Sequence, residues 1–379
     1  MLHNRLFLIR CLFLVIFASL FFLVAPGNIA ATEMQREEFW ERARVIEVIE
    51  ISRTEHNGFH IIEQEARVEV LSGAYKGQIL TAQNTLANET WDINISPGDK
   101  IIVYLGLEHG HLSDVYVADH MRSSAIHYIL IVFVLLLILV GGIKGIKAII
   151  ALALTIFSIY FFLLPLLIKG YSPILITILI LVVVTIITML IIGGFSRKAL
   201  VATIGTMGGV IIAGLLAYYI GNLASLTGFA SEESRMLLYV DNIDVDIKGI
   251  LFAGIIIGAL GATMDVAMSI ASAIEEIRKA HSKINSLELI KSGMNVGRDI
   301  MGTMVNTLIL AYAGGALPML LLFMAYDTSW IKLVNAEFIA TEIIRAIAGS
   351  IGLILSVPIT ALVAGLVYTE KGQEDYRSK

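Results

Sequence analysis

Cysteine occurs once in 379 residues, at Cys11, which excludes an intramolecular disulfide and a thiolate metal cluster. Arg10 directly before it departs from a lipoprotein cleavage box, so Cys11 reads as part of an apolar helix. Charge is scarce as well: 16% of the residues are charged, against about 25% in soluble domains. The formal net charge of −5 offers no basic surface to nucleic acid, which is excluded as a partner. No Gly-x-x-x-x-Gly-Lys loop is present, so ATP-driven work by this chain alone is not expected. Tyr326-Asp327 and Asp265 bring two aspartates into apolar runs, but without the Gly-x-Gly-Asp of intramembrane proteases. Met264, Met268, Met294, Met301 and Met304 are joined by no Cys or His in those runs, and so read as ordinary apolar-helix residues rather than a soft-metal path. No inverted repeat of the kind that marks transporter folds is evident. No catalytic residue, metal ligand or cofactor is implied.

What is present is apolar surface. Hydrophobic residues make up 57% of the chain, beyond the roughly 45–50% of a soluble protein. Residues 1–31 run from a basic start (Arg5, Arg10) through an apolar stretch to Ala30-Ala31, the order of a signal peptide or uncleaved signal anchor. Residues 32–123 differ sharply. Charges are frequent, and five Val/Ile-rich stretches (44–51, 63–71, 78–84, 100–106 and 114–119) are separated by turn residues such as Gly73, Gly77 and Pro97-Gly98-Asp99. Ala66-Arg67-Val68-Glu69-Val70 alternates with the period of a half-buried strand. This predicts a small, OB-like barrel. Asp244-Val-Asp246 opens like a calcium loop, but Lys248 and Ile255 stand where ligands belong, so it reads as an acidic approach to the membrane.

From residue 124 to 370 the apolar runs reach bilayer length. Spans are predicted near 125–142, 146–168, 172–193, 199–221, 249–273, 301–325 and 343–367, each long enough for a hydrocarbon core of about 30 Å. Pro165 and Pro318 are expected to end helices, and residues 274–299 to form a short amphipathic segment between spans. The predicted fold class is therefore an α-helical polytopic membrane protein, with about seven transmembrane helices after a signal peptide or anchor and a small extracytoplasmic β-barrel-like domain. With that domain outside, the inner segments hold twelve Lys and Arg residues and the outer loops four, which agrees with the positive-inside rule. The tail, 371–379, is then cytoplasmic and the location is the cell membrane.

Ionisable groups inside spans cost about 2.5–3.5 kcal/mol at the centre and need a reason. Asp265 stands out, with Thr263 beside it and Ser269, Ser272 and Glu276 following at helical spacing. Gly254, Gly258 and Gly261 on the outer half of that helix predict close packing. Asn295, Asp299, Gly302 and Asn306 form a matching stripe on the next helix, with Arg298 and Thr303 alongside. Asp265, Ser269, Thr263, Asn306, Thr303 and Asp299 are the candidate ion or substrate path. Glu342 and Arg345 are spaced to pair with each other, and Pro358 between Ser356 and Thr360 loosens the last span.

The stretch Gly261-Ala-Thr-Met-Asp265-Val-Ala-Met-Ser269-Ile-Ala-Ser272 and the run Asn295-Val-Gly297-Arg298-Asp299-Ile-Met-Gly302-Thr303-Met-Val-Asn306 resemble the two signatures of the YibE/F family of bacterial membrane proteins. Gly98-Asp99-Lys100 leading into a strand is similar to that family's extracytoplasmic segment. The resemblance implies the architecture and points to these two helices, not to an activity. Three functions compete: a secondary transporter or permease component for a small solute or ion, a non-transporting scaffold or sensor, and an enzyme acting on lipid or cell-wall precursors. The last lacks an acid–base or metal pair. The expected partners are the lipid bilayer, an envelope protein held by the β domain, and a second copy of the chain.

Overall fold

The computed structural model describes residues 36–56, 59–87, 92–108, 111–240 and 245–377. The expected signal segment 1–31 and Asp244 lie outside the described residues. The chain divides into two compact units, one ending at Leu137 and the other beginning at Ile138.

The first unit holds five strands: β1 (Arg36–His56), β2 (Phe59–Val70), β3 (Ile79–Leu86), β4 (Lys100–Glu108) and β5 (His111–His120). They close into a barrel in the order β1-β2-β3-β5-β4. β1 makes closure possible because it pairs with two partners. Its first part, Arg36–Arg44, runs antiparallel to β4, and Ala43–His56 runs antiparallel to β2. β3 meets β5 in parallel at Gln83 and Tyr116. The core takes alternate residues from the strands, among them Val45, Ala66, Val68, Ala82, Ile101, Val103 and Leu105. The sequence predicts only 44–51 of β1. Register shifts at Val45/Glu47 and Glu50/Ser52 switch which face each side chain takes, so the strict alternation that signals a strand is broken although the strand continues.

Among the described residues, six helices are long and apolar enough to cross a membrane. The first, α1 (Ser123–Ser158), contains a non-helical break at Gly142, with φ 53° and ψ −132°. The two predicted spans at 125–142 and 146–168 are the arms on either side of it. Only glycine adopts that backbone without strain, so one residue divides an otherwise continuous apolar stretch. After α1 the chain passes through a π turn, Ile159–Leu163, into α2 (Leu164–Ile168). Then follow α3 (Pro173–Gly193), α4 (Arg197–Leu223), the short α5 (Glu232–Met236), α6 (Ile247–Ala280), α7 (Ser286–Ala325), α8 (Trp330–Val334) and α9 (Glu337–Arg377).

Two expectations need correction. Pro165 and Pro318 do not end helices: Pro318 lies inside α7, and Pro165 opens α2 directly after the π turn. At Pro165 the missing proline N–H orphans a carbonyl one turn earlier, and the π turn before it accommodates that without stopping the helix. Residues 274–299 are not a separate segment. α6 runs on to Ala280 and α7 starts at Ser286, capped by the Asn285 side chain accepting from the Glu288 N–H at 2.8 Å. The helical hydrogen-bond ladder does not stop where hydropathy does. Asp246 caps the start of α6 by accepting from the Gly249 N–H at 2.8 Å, which is the local reason for that acidic residue.

The tightest packing joins α4 to α9. Gly205, Gly209 and Ala213 face Gly352, Ser356 and Thr360, both at four-residue spacing. A methyl group on Gly209 would lie 2.6 Å from the Gly352 carbonyl oxygen, and one on Gly205 would collide with the Thr360 hydroxyl. Small residues let the two backbones approach where no hydrophobic force between helices exists to draw them together. On the other side of the same core, Val266, Ile270 and Ile274 of α6 pack against Leu353 and Val357 of α9, and Gly293 and Gly297 seat α7 on Ile274 and Val357. The Glu337 carboxylate fastens the loop after α4. It accepts from the Thr227 N–H at 2.7 Å, the Thr227 hydroxyl at 2.7 Å and the Gly228 N–H at 3.0 Å.

Candidate functional site

α6 presents two faces two residues apart. Thr263 points inward: it is fully buried, and its hydroxyl donates to the Ala259 carbonyl at 2.7 Å. Asp265 points outward and is exposed. No hydrogen bond or ion pair from the described residues reaches its carboxylate. Ser269, one turn on, is exposed on the same side, and Glu276 at the helix end is held by Lys279 at 2.8 Å.

α7 lies beside α6 and carries the other three candidates. Asp299, Thr303 and Asn306 are all exposed. The Thr303 hydroxyl is engaged by its own helix, donating to the Ile300 carbonyl at 2.9 Å. Arg298 reaches Asn295 at 3.5 Å. No hydrogen bond joins Asp265 to Asn306. Five of the six candidate residues therefore share exposure on α6 and α7, and Thr263 belongs to the packed interior instead.

The glycines upstream of Asp265 behave differently from expectation. Gly254 and Gly261 face open space, and only Gly258 meets a neighbour, the Tyr312 hydroxyl of α7. The close helix approach predicted for this stripe occurs on α4 and α9. Gly302, in the α7 stripe, is likewise open.

A second polar group lies at the start of α9. Glu342 and Arg345 pair at 2.6 Å, as their spacing predicts, and are largely buried. The Arg345 guanidinium lies 6.0 Å from the centre of the Tyr312 ring. Tyr312 was not foreseen, because nothing local to its sequence announces a partner on another helix. Also unforeseen are buried hydroxyls with no hydrogen-bond partner among the described residues: Thr177, Thr185 and Thr188 on α3, Thr206 on α4, Thr341 and Ser350 on α9. Threonine is ordinary in apolar helices, so only burial marks these as polar atoms in want of a partner.

Two carboxylates, two hydroxyls and an amide are spread along α6 and α7, oxygen atoms of the chemical type that can bind a proton or a hard cation. The spans and the barrel define the class: a multipass helical membrane protein with an appended five-stranded barrel. Family models match both parts, the YibE/F family N-terminal domain over residues 40–120 and the YibE/F-like protein over residues 129–370. The chain belongs to the YibE/F family. Searches of curated proteins and of solved structures give no match.

Proposed function

We propose that the chain is a secondary transporter or permease component that moves a small solute or ion, with Asp265 as its coupling or ion-binding residue. The observation that carries this reading is the Asp265 carboxylate, exposed on a membrane-length helix with no hydrogen-bond or ion-pair partner among the described residues. A carboxylate there costs about 2.5–3.5 kcal/mol, so a residue without a structural partner is best accounted for by a proton or cation that binds and leaves. Ser269, Asp299, Thr303 and Asn306 extend the exposed polar surface along α6 and α7, and Thr263 buttresses the helix from inside. The barrel lies on the extracytoplasmic side in this reading, with the twelve basic residues toward the cytoplasm.

The test is current on solid-supported membranes from proteoliposomes, across a panel of pH and cation gradients. Wild type gives a current, and Asp265→Asn, still folded by thermal unfolding, loses it. Equal currents in both would overturn the assignment.

One observation favours a second reading, a scaffold or sensor. Trp40, Tyr104 and Tyr116 form an aromatic cluster on the barrel, with the Trp40 and Tyr104 ring centroids 5.4 Å apart and those of Tyr104 and Tyr116 6.3 Å apart, and Trp40 is 63% exposed. Exposed aromatics of this kind suit protein contact. This reading expects an envelope protein to be captured by the full chain and released by Trp40→Ala, with Asp265→Asn silent.

A further inference from the structure

Where the second arm of α1 passes the turn between α3 and α4, a cavity of about 170 Å³ opens between these elements and α6. Three lysines line it: Lys144 and Lys147 of α1 and Lys198 in the first turn of α4. Ser272 of α6 adds a hydroxyl, and Met268 and Ile192 supply apolar wall. The charges are not balanced. Glu275 is the carboxylate at hand, and it is shared, 3.2 Å from Lys198 and 3.8 Å from Lys279. Lys144 and Lys147 have no hydrogen bond or ion pair among the described residues. Like charges gathered on one cavity repel unless an anion joins them, and the surroundings are partly apolar, where screening by water and salt is weakest.

We infer that this cavity binds a phosphate group, with Lys144, Lys147 and Lys198 as its cationic ligands and the Ser272 hydroxyl as a further contact. Lysine is a point-charge donor suited to tetrahedral oxyanions. The cavity also lies at helix ends, beside Gly193 where α3 stops and Arg197 where α4 begins. Basic pockets between spans at that level take the head groups of anionic lipids. A phosphate there is either part of a lipid or free. The inference is independent of transport, since none of its cationic ligands belongs to the Asp265 face.

The experiment uses the full chain in neutral detergent, followed by native mass spectrometry and thermal unfolding. Three probes are added separately: phosphatidylglycerol, phosphatidylcholine and inorganic phosphate. A lipid site gives retained phosphatidylglycerol in preference to phosphatidylcholine and a raised unfolding temperature. A free-anion site gives the temperature rise with inorganic phosphate alone. In either case Lys144→Gln/Lys147→Gln weakens binding about tenfold or more, while Lys144→Arg/Lys147→Arg and the distant Lys332→Gln retain it. The paired Lys-to-Arg variant keeps the charge, so a fold defect common to both double variants is told apart from a lost site; in that event Lys147→Gln alone and the loss of binding with added salt provide the readout. No binding of phosphatidylglycerol or inorganic phosphate by wild type, or equal binding by wild type and the glutamine variant, overturns the inference.

Discussion

Glycines recur at helical spacing on α4 and on α6, and the two stretches meet opposite surroundings. On α4, Gly205 and Gly209 are pressed against α9 so closely that a single methyl group has no room. On α6, Gly254 and Gly261 meet nothing within 4 Å among the described residues, and Asp265 continues that open face. The difference shows that a glycine stripe records that close approach is permitted, not that it occurs within the chain. Where the stripe is used, it seats a backbone. Where it is not, a polar face stays accessible along a membrane-length helix, and that accessibility is the basis for placing function there.

The largest expected effect tests the closed seam. Gly209→Ala forces α4 from α9 and costs about 1–3 kcal/mol, the usual range for overpacking, read as a lowered unfolding temperature in detergent. Loss of current in Asp265→Asn with stability kept separates the open face from the closed one by function rather than by packing. Gly261→Ala should leave stability within about 0.5 kcal/mol, as for substitutions away from packed features. A loss as large as that of Gly209→Ala would break the comparison, because it would mean that the open face is covered in the folded state. Another small effect lies in the barrel and scales the measurement. Arg122 donates to Asp119 at 2.6 Å and the His120 N–H donates to it at 2.7 Å, which holds the Asp119 carboxyl below its usual value of 3.8. That stabilisation is complete above the ordinary carboxylate range and is lost as pH falls through the lowered value. The stability gap between wild type and Arg122→Gln should therefore be under about 1 kcal/mol near neutrality, as for a surface ion pair, and should close in acid. Chemical unfolding at a series of pH values measures it.

Much of the architecture was legible because its signals are local. Apolar runs of bilayer length found each membrane-length helix among the described residues, including the division of α1, because hydropathy sums over a window. Alternation in Ala66–Val70 and turn residues such as Gly77 found the strands of the barrel. The ends were less legible. Residues 274–299 extend α6 and α7, since backbone hydrogen bonding continues past the apolar run, and β1 outran its predicted 44–51 because bulges break the pattern. The candidate site was legible in kind: Asp265, Ser269, Asp299, Thr303 and Asn306 are polar residues on long apolar helices, and rarity alone selects them.

Sequence by itself thus determined the class of the chain, the order of its parts and which residues are chemically out of place in a bilayer, because composition and periodicity are properties of neighbours along the chain. Tertiary structure alone decided that Thr263 faces the core while Asp265 faces out and that α4, not α6, carries the close-packed glycines. It also decided that Tyr312 meets Arg345 and that three lysines from two distant helices share one cavity. Each of these depends on the rotation of one helix against another, which is set by packing between residues far apart in the sequence.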